Sequence, residues 1–91
     1  MNTGKDDKPV VFRKDGVPFE EMALHNTRES CWISIERNVY DITSYVQRHP
    51  GGMIIMDFAG KEGTNAFFKY HSWVNHKYIL KNKLIGRLKL I

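Results

Sequence analysis

Cysteine is nearly absent from this 91-residue chain: Cys31 stands alone, so no disulfide can form within it. That excludes the cross-linked scaffolds of small secreted proteins and fits a reducing compartment. It also excludes C-x-x-C redox chemistry and leaves zinc without a thiolate pair. Beside Trp32, in a strand-like run, Cys31 reads as a buried inert thiol. Long apolar runs are missing too. The longest, Met53-Ile54-Ile55-Met56, falls far short of the ~20 residues that span a bilayer. Residues 1–9 are polar and lack the apolar centre of a signal peptide, and nothing after Leu88 could serve as a tail anchor. The expectation is a cytoplasmic protein with no membrane anchor, or a module cut from a longer one. Phosphate loops, G-x-S-x-G elbows and H-E-x-x-H zinc helices are likewise absent. Acidic residues stop at Glu62, whereas Lys69, Lys77, Lys81, Lys83, Arg87 and Lys89 follow it. Such a skew can serve an anionic partner, but a solvated helix face and strand edge is the favoured reading. Lys81 and Lys83 would complement a helix C-terminus.

What is present suits one domain with a single modest core. Residues 1–8 read as a flexible arm and residues 9–91 as the domain. Val10-Val11-Phe12 is a short strand candidate, followed by a turn at Asp15-Gly16. Pro18, Glu20 and Glu21 mark the start of a helix that reaches Leu24. Trp32-Ile33-Ser34-Ile35 and Asn38-Val39-Tyr40-Asp41-Ile42 are rich in β-branched and aromatic residues and predict a hairpin about Glu36-Arg37-Asn38. Thr43 or Ser44 should cap a brief helix at residues 45–48, which Pro50 ends. A second short helix is expected at residues 53–58, a loop at 59–63, a third helix at 65–70 capped by Thr64, and a fourth at 73–82 capped by Ser72. The stretch at residues 84–90 reads as a final strand. The class is α+β. Short helices with many loops suit the walls of a pocket whose apolar occupant completes the core.

His49-Pro50-Gly51-Gly52 is the most informative motif. Pro50 stops a helix, and two glycines let a flat ligand approach the backbone, so the turn presents the His49 imidazole at a pocket mouth. Three other histidines compete for a role beside it. His71 follows Phe67 by four residues, placing an aromatic ring and an imidazole on one helix face. His76 is the rival second ligand, but five residues from His71 it lies on a different face. His25 sits at a helix exit, where capping a carbonyl explains it. Two histidines across an apolar slot would suit a haem iron with both axial positions filled, which favours outer-sphere electron transfer.

These motifs together resemble the cytochrome b5 haem-binding domain family. The resemblance runs from about Val17 to Leu88. It is carried by His25-Asn26, Cys31-Trp32-Ile33-Ser34-Ile35, Val39-Tyr40-Asp41-Ile42-Thr43, His49-Pro50-Gly51-Gly52, Ala59-Gly60, Thr64, Phe67, His71-Ser72 and Ile85-Gly86. The run His71-Ser72-Trp73-Val74-Asn75 is similar to the soluble, reductase-fused type. The resemblance implies a small mixed sheet and two helical pairs gripping one non-covalent haem b. His49 and His71 match the axial ligands. Ile35, Ile42, Tyr45, Val46, Pro50, Gly51, Ile55, Met56, Phe67 and Tyr70 match or neighbour the pocket lining, and Ser72 matches a serine that binds a haem propionate. Trp32 matches a tryptophan in a second core away from the haem.

The resemblance implies an electron carrier, not itself an enzyme, or a module of a larger redox enzyme. An NAD(P)H-dependent flavoprotein reductase would be the donor, and an oxidase-type protein such as a lipid desaturase or hydroxylase the acceptor. The chain departs from the family in its shorter histidine spacing of 22 residues and in Met53-Ile54-Ile55-Met56, which replaces an acidic run after the glycines. An acidic rim steers basic partners, so docking on different surfaces is expected. A monomer that binds no nucleic acid is expected. The competing readings are a haem- or lipid-dependent interaction or sensing module on the same fold, and a basic nucleic-acid-binding domain resting on the six late bases.

Overall fold

The computed structural model describes residues 10–48, 55–70 and 75–89. Its elements run β1 (Arg13–Pro18), α1 (Phe19–Leu24), β2 (Trp32–Ile35), β3 (Asn38–Asp41), α2 (Thr43–Arg48), β4 (Lys61–Glu62), α3 (Thr64–Tyr70), α4 (His76–Ile79), a 3-10 turn (Lys81–Lys83) and β5 (Leu84–Lys89). The five strands form one mixed sheet in the order β1-β5-β3-β2-β4. β1 runs parallel to β5, β2 and β3 form the antiparallel hairpin, and β4 lies parallel to β2. The class is α+β, as the residue pattern predicts.

Both faces of the sheet are covered, and strand alternation divides the core in two. Ile33, Ile35 and Tyr40 point to one cluster, joined by Cys31, Ile42, Val46, Ala59 and Leu80. Trp32, Val39 and Ile85 point to the other, with Val17, Met22 and Leu88. Every residue of β2 is buried for this reason. The second cluster sits beneath β1 and α1.

The hairpin turn is tighter than its sequence suggests. Glu36 and Arg37 have φ of 52° and 67°, the left-handed pair of a two-residue type I′ turn. Neither is glycine, so the conformation costs energy that surrounding bonds must offset. The Glu36 N–H donates to Thr64 Oγ1 at 2.8 Å, and the Leu88 N–H donates to the Arg37 carbonyl at 2.8 Å.

Several local expectations need correction. The first strand lies at Arg13–Pro18, not at 10–12, because its pairing is dictated by β5. Gly16 falls inside that strand at φ 87°, a bulge in place of a turn. The loop expected at 59–63 contains β4. Neither Thr43 nor Thr64 caps its helix from outside; both are the first helical residue. The Asp41 carboxylate accepts from the Thr43 N–H at 3.1 Å, and the Glu62 carboxylate from the Thr64 N–H at 3.3 Å. Asn75 caps α4, its side chain accepting from the N–H groups of Lys77 and Tyr78. Residues 55–56 are helical and lead into a turn at 57–60, the described part of the expected second helix. The arm at residues 1–8 and the Ser72 cap lie outside the described residues.

Candidate functional site

The first core cluster is the candidate site. Its floor is the sheet face bearing Ile33 and Ile35, with Ile42 and Val46 beside it, all buried. Tyr45, Ile55, Met56, Phe58, Phe67 and Leu84 pack against that floor while staying partly exposed. Large apolar side chains from α2, residues 55–58 and α3 thus converge on one apolar face without being fully covered. The structure brings together seven residues expected there: Ile35, Ile42, Tyr45, Val46, Ile55, Met56 and Phe67. Pro50, Gly51, Ser72, His49 and His71 lie outside the described residues, as does the side chain of Tyr70.

Two imidazoles are placed, and both are committed elsewhere. The His25 ring stacks on Trp32 with centroids 3.6 Å apart, and its Nδ1 lies 2.6 Å from Ser30 Oγ. As expected at the helix exit, its backbone N–H caps α1 by donating to the Met22 carbonyl at 3.0 Å, while its ring packs with Trp32 of the second core. His76 is 3% exposed, and each of its ring nitrogens has a partner. Nδ1 is 3.0 Å from the Tyr40 hydroxyl and Nε2 is 3.0 Å from Glu36 Oε1. The rings of Tyr40, Phe67 and Phe68 meet the His76 ring nearly edge-on, at centroid distances of 5.7, 5.5 and 5.9 Å. With both nitrogens engaged, His76 has no lone pair for a metal. His49 and His71 are the imidazoles that remain. In the chain they directly follow α2 and α3, the helices that carry Val46 and Phe67.

The electrostatics agree. The hydrogen bond from His76 holds the Glu36 carboxyl below the usual carboxylate range, against a smaller opposing effect of burial. Burial pushes the Tyr40 phenol up. Cys31 is fully buried, and burial followed by the nearby Asp41 charge pushes its thiol up to about 11, which makes it a poor nucleophile or ligand. No group of three or more potential metal-ligating His, Cys, Asp or Glu side chains occurs among the described residues. The late bases are not a uniform solvated face: Lys83 is 8% exposed, and Lys81 Nζ lies 4.7 Å over the Tyr78 ring.

An apolar floor and partly exposed aromatic and aliphatic walls fit a flat apolar cofactor better than a hydrated ion. The Tyr40–His76–Glu36 cluster was not legible as part of this site. Its members lie 36 and 40 residues apart, and no local pattern joins them.

No helix among the described residues is long and apolar enough to cross a membrane. The chain is 45% identical over 89 residues to cytochrome b5 reductase 4 of Xenopus tropicalis, matching 97% of this chain and 17% of that protein. It is 34% identical over 80 residues to an acyl-lipid (9-3)-desaturase of Physcomitrium patens, matching 88% of this chain and 15% of the desaturase. The chain therefore spans about a sixth of the length of these relatives. Among solved structures, cytochrome b5 of Ostreococcus tauri virus 2 superposes with a TM-score of 0.69 at 39% identity, covering 79% of this chain and 94% of that one. The family profile of the cytochrome b5-like heme/steroid binding domain matches residues 18–89, from the last residue of β1 to the end of β5, and the chain belongs to that family.

Proposed function

We propose that this chain, a single domain over residues 9–91, is a one-electron carrier that holds haem b non-covalently between His49 and His71. The observation that carries the reading is the commitment of His25 and His76 to other partners, which leaves these two imidazoles for the iron. When bound, haem would supply a reversible one-electron iron couple, suited to outer-sphere transfer. The chain's own residues would do the rest. Ile35, Ile42, Val46, Ile55, Met56 and Phe67 would exclude water from the macrocycle. Tyr45 and Tyr70 would border it, Pro50 and Gly51 would shape the turn that presents His49, and Ser72 would hold a propionate.

The relatives include a reductase and a desaturase, and this supports a flavoprotein reductase using NAD(P)H as donor and an oxidase-type acceptor. The chain would act as a monomer in the cytoplasm, either free or as the carrier module of a larger redox enzyme. Its buried free thiol accords with that compartment. The test is a haem titration followed by reduction. One haem per chain should bind, dithionite should reduce it and air should reoxidise it. A flavoprotein reductase with its nicotinamide donor should reduce it as completely as dithionite. A chain that takes up no haem, or whose haem no reductase reduces, would overturn the reading.

A further inference from the structure

Arg87, Asn38, Tyr40, His76 and Glu36 form a continuous hydrogen-bonded line across the sheet, and a donor-only group at one end and an acceptor-only group at the other favour one direction along it. Arg87 can only donate, and its Nη1 lies 3.0 Å from Asn38 Oδ1. Asn38 must then turn its amide nitrogen to the Tyr40 oxygen, 3.3 Å away. With that oxygen accepting, the Tyr40 proton is free to go to His76 Nδ1 at 3.0 Å. At the other end Glu36 can only accept, so His76 Nε2 carries the proton, at 3.0 Å. Each of the four bonds in the line then pairs one donor with one acceptor, with a His76 proton on Nε2. The acceptor at the far end is itself held: Glu36 sits in the left-handed turn, tied by its N–H to Thr64 on α3.

The His76 ring is also a common point for the two chain ends that flank residues 71–74. On one side α3 brings Phe67 and Phe68 edge-on to it. On the other, Asn75 is its neighbour in sequence and the cap of α4. We propose that His76, locked by Tyr40 and Glu36 as the Nε2–H tautomer, is a positioning residue that holds both ends of the segment bearing His71 and so sets how the second axial imidazole meets the iron. The inference rests on the haem reading above and goes beyond it, since it assigns His76 a role that is neither ligand nor simple filler.

The test uses the haem-loaded chain and three variants. Tyr40→Phe removes one hydroxyl and keeps the ring. Glu36→Gln keeps an exposed acceptor but removes its charge. His76→Phe keeps a ring against Phe67 and Phe68 and removes both bonds. Tyr40→Phe and His76→Phe should release haem to a scavenging apoglobin roughly tenfold faster than the parent, a factor equivalent to about 1.4 kcal/mol. Glu36→Gln should fall between. The low-spin electron paramagnetic resonance signal should persist but broaden or split in the two phenylalanine variants. Ring-nitrogen NMR of the reduced parent should find the His76 proton on Nε2.

If the parent gives no low-spin signal, the haem reading fails by itself, before any variant is compared. If the parent gives that signal and the variants merely melt earlier, with haem release and resonance unchanged, the positioning role is wrong. A His76 proton on Nδ1, or loss of the low-spin signal in His76→Phe, would also overturn it. Should His76→Phe fail to fold, Tyr40→Phe decides, because its ring and packing are intact.

Discussion

Gly86 is where the two halves of the core can be separated by experiment. It lies on β5 opposite Arg13 of β1, and a Cβ built there would stand 2.9 Å from the Arg13 carbonyl oxygen and 3.3 Å from Val17 Cγ2. The oxygen belongs to the backbone and cannot rotate away, so the β1–β5 pair must open by several tenths of an ångström. Overpacking of this kind costs about 1–3 kcal/mol. For a domain of this size each kcal/mol lowers the melting temperature by roughly 4–8 °C. Gly86→Ala should therefore melt between about 4 and 24 °C below the parent. The strain falls on the cluster of Val17, Trp32 and Ile85, on the sheet face opposite Ile35, Tyr40 and Val46. The haem-loaded variant should keep the parent's visible spectrum and reduction potential while both its haem-free and haem-loaded forms melt earlier. Differential scanning calorimetry with an optical titration reads both quantities. A shift under about 2 °C would refute the close approach, and an altered spectrum would refute the separation of the two cores.

Three further outcomes follow from the same geometry. Haem should raise the melting temperature, by about 2.7 kcal/mol of stabilisation when free haem is a hundredfold above its dissociation constant; equal melting with and without haem would place the pocket outside the fold's centre. Arg37→Gly should raise the melting temperature by a few degrees, since relief of a left-handed residue, about 1–2 kcal/mol, outweighs the extra entropy of glycine in the unfolded chain. No gain on thermal melting would show that the turn is unstrained. The raised Cys31 thiol sets an alkaline limit: its contribution to stability is fully present below the ordinary thiol value of 9.0 and is lost as pH rises towards about 11. Urea unfolding between pH 8 and 11 should fall more steeply for the parent than for Cys31→Ala, and parallel curves would contradict the burial argument.

How much of this was legible follows from the reach of each signal. The β2–β3 hairpin, α1 and β5 were readable because alternation, an entry proline and a first-turn acidic pair act within a few residues. The resemblance named Ile35, Ile42 and Val46 together, and they share one buried cluster. β1 was misplaced because its position depends on parallel pairing with a strand more than sixty residues later, and Asp15-Gly16 imitates a turn. β4 is two residues long and exists only beside β2. The caps shifted because Asp41 and Glu62 reach forward two residues, a competition that Thr43 and Thr64 obscure in the sequence. His76 was the less favoured of two candidate second ligands on a spacing that assumed one helix through His71 and His76, but α4 begins at His76, and its bonds to Tyr40 and Glu36 needed the fold.

In the proposed carrier His49 and His71, not His76, hold the iron. The most direct measurement is the visible and electron paramagnetic resonance spectrum of the haem-supplied chain beside His49→Ala, His71→Ala and His76→Phe. The parent and His76→Phe should both show a six-coordinate low-spin haem, and each alanine variant should lose it. A His71→Ala protein that keeps the low-spin signal while His76→Phe loses it would contradict the claim.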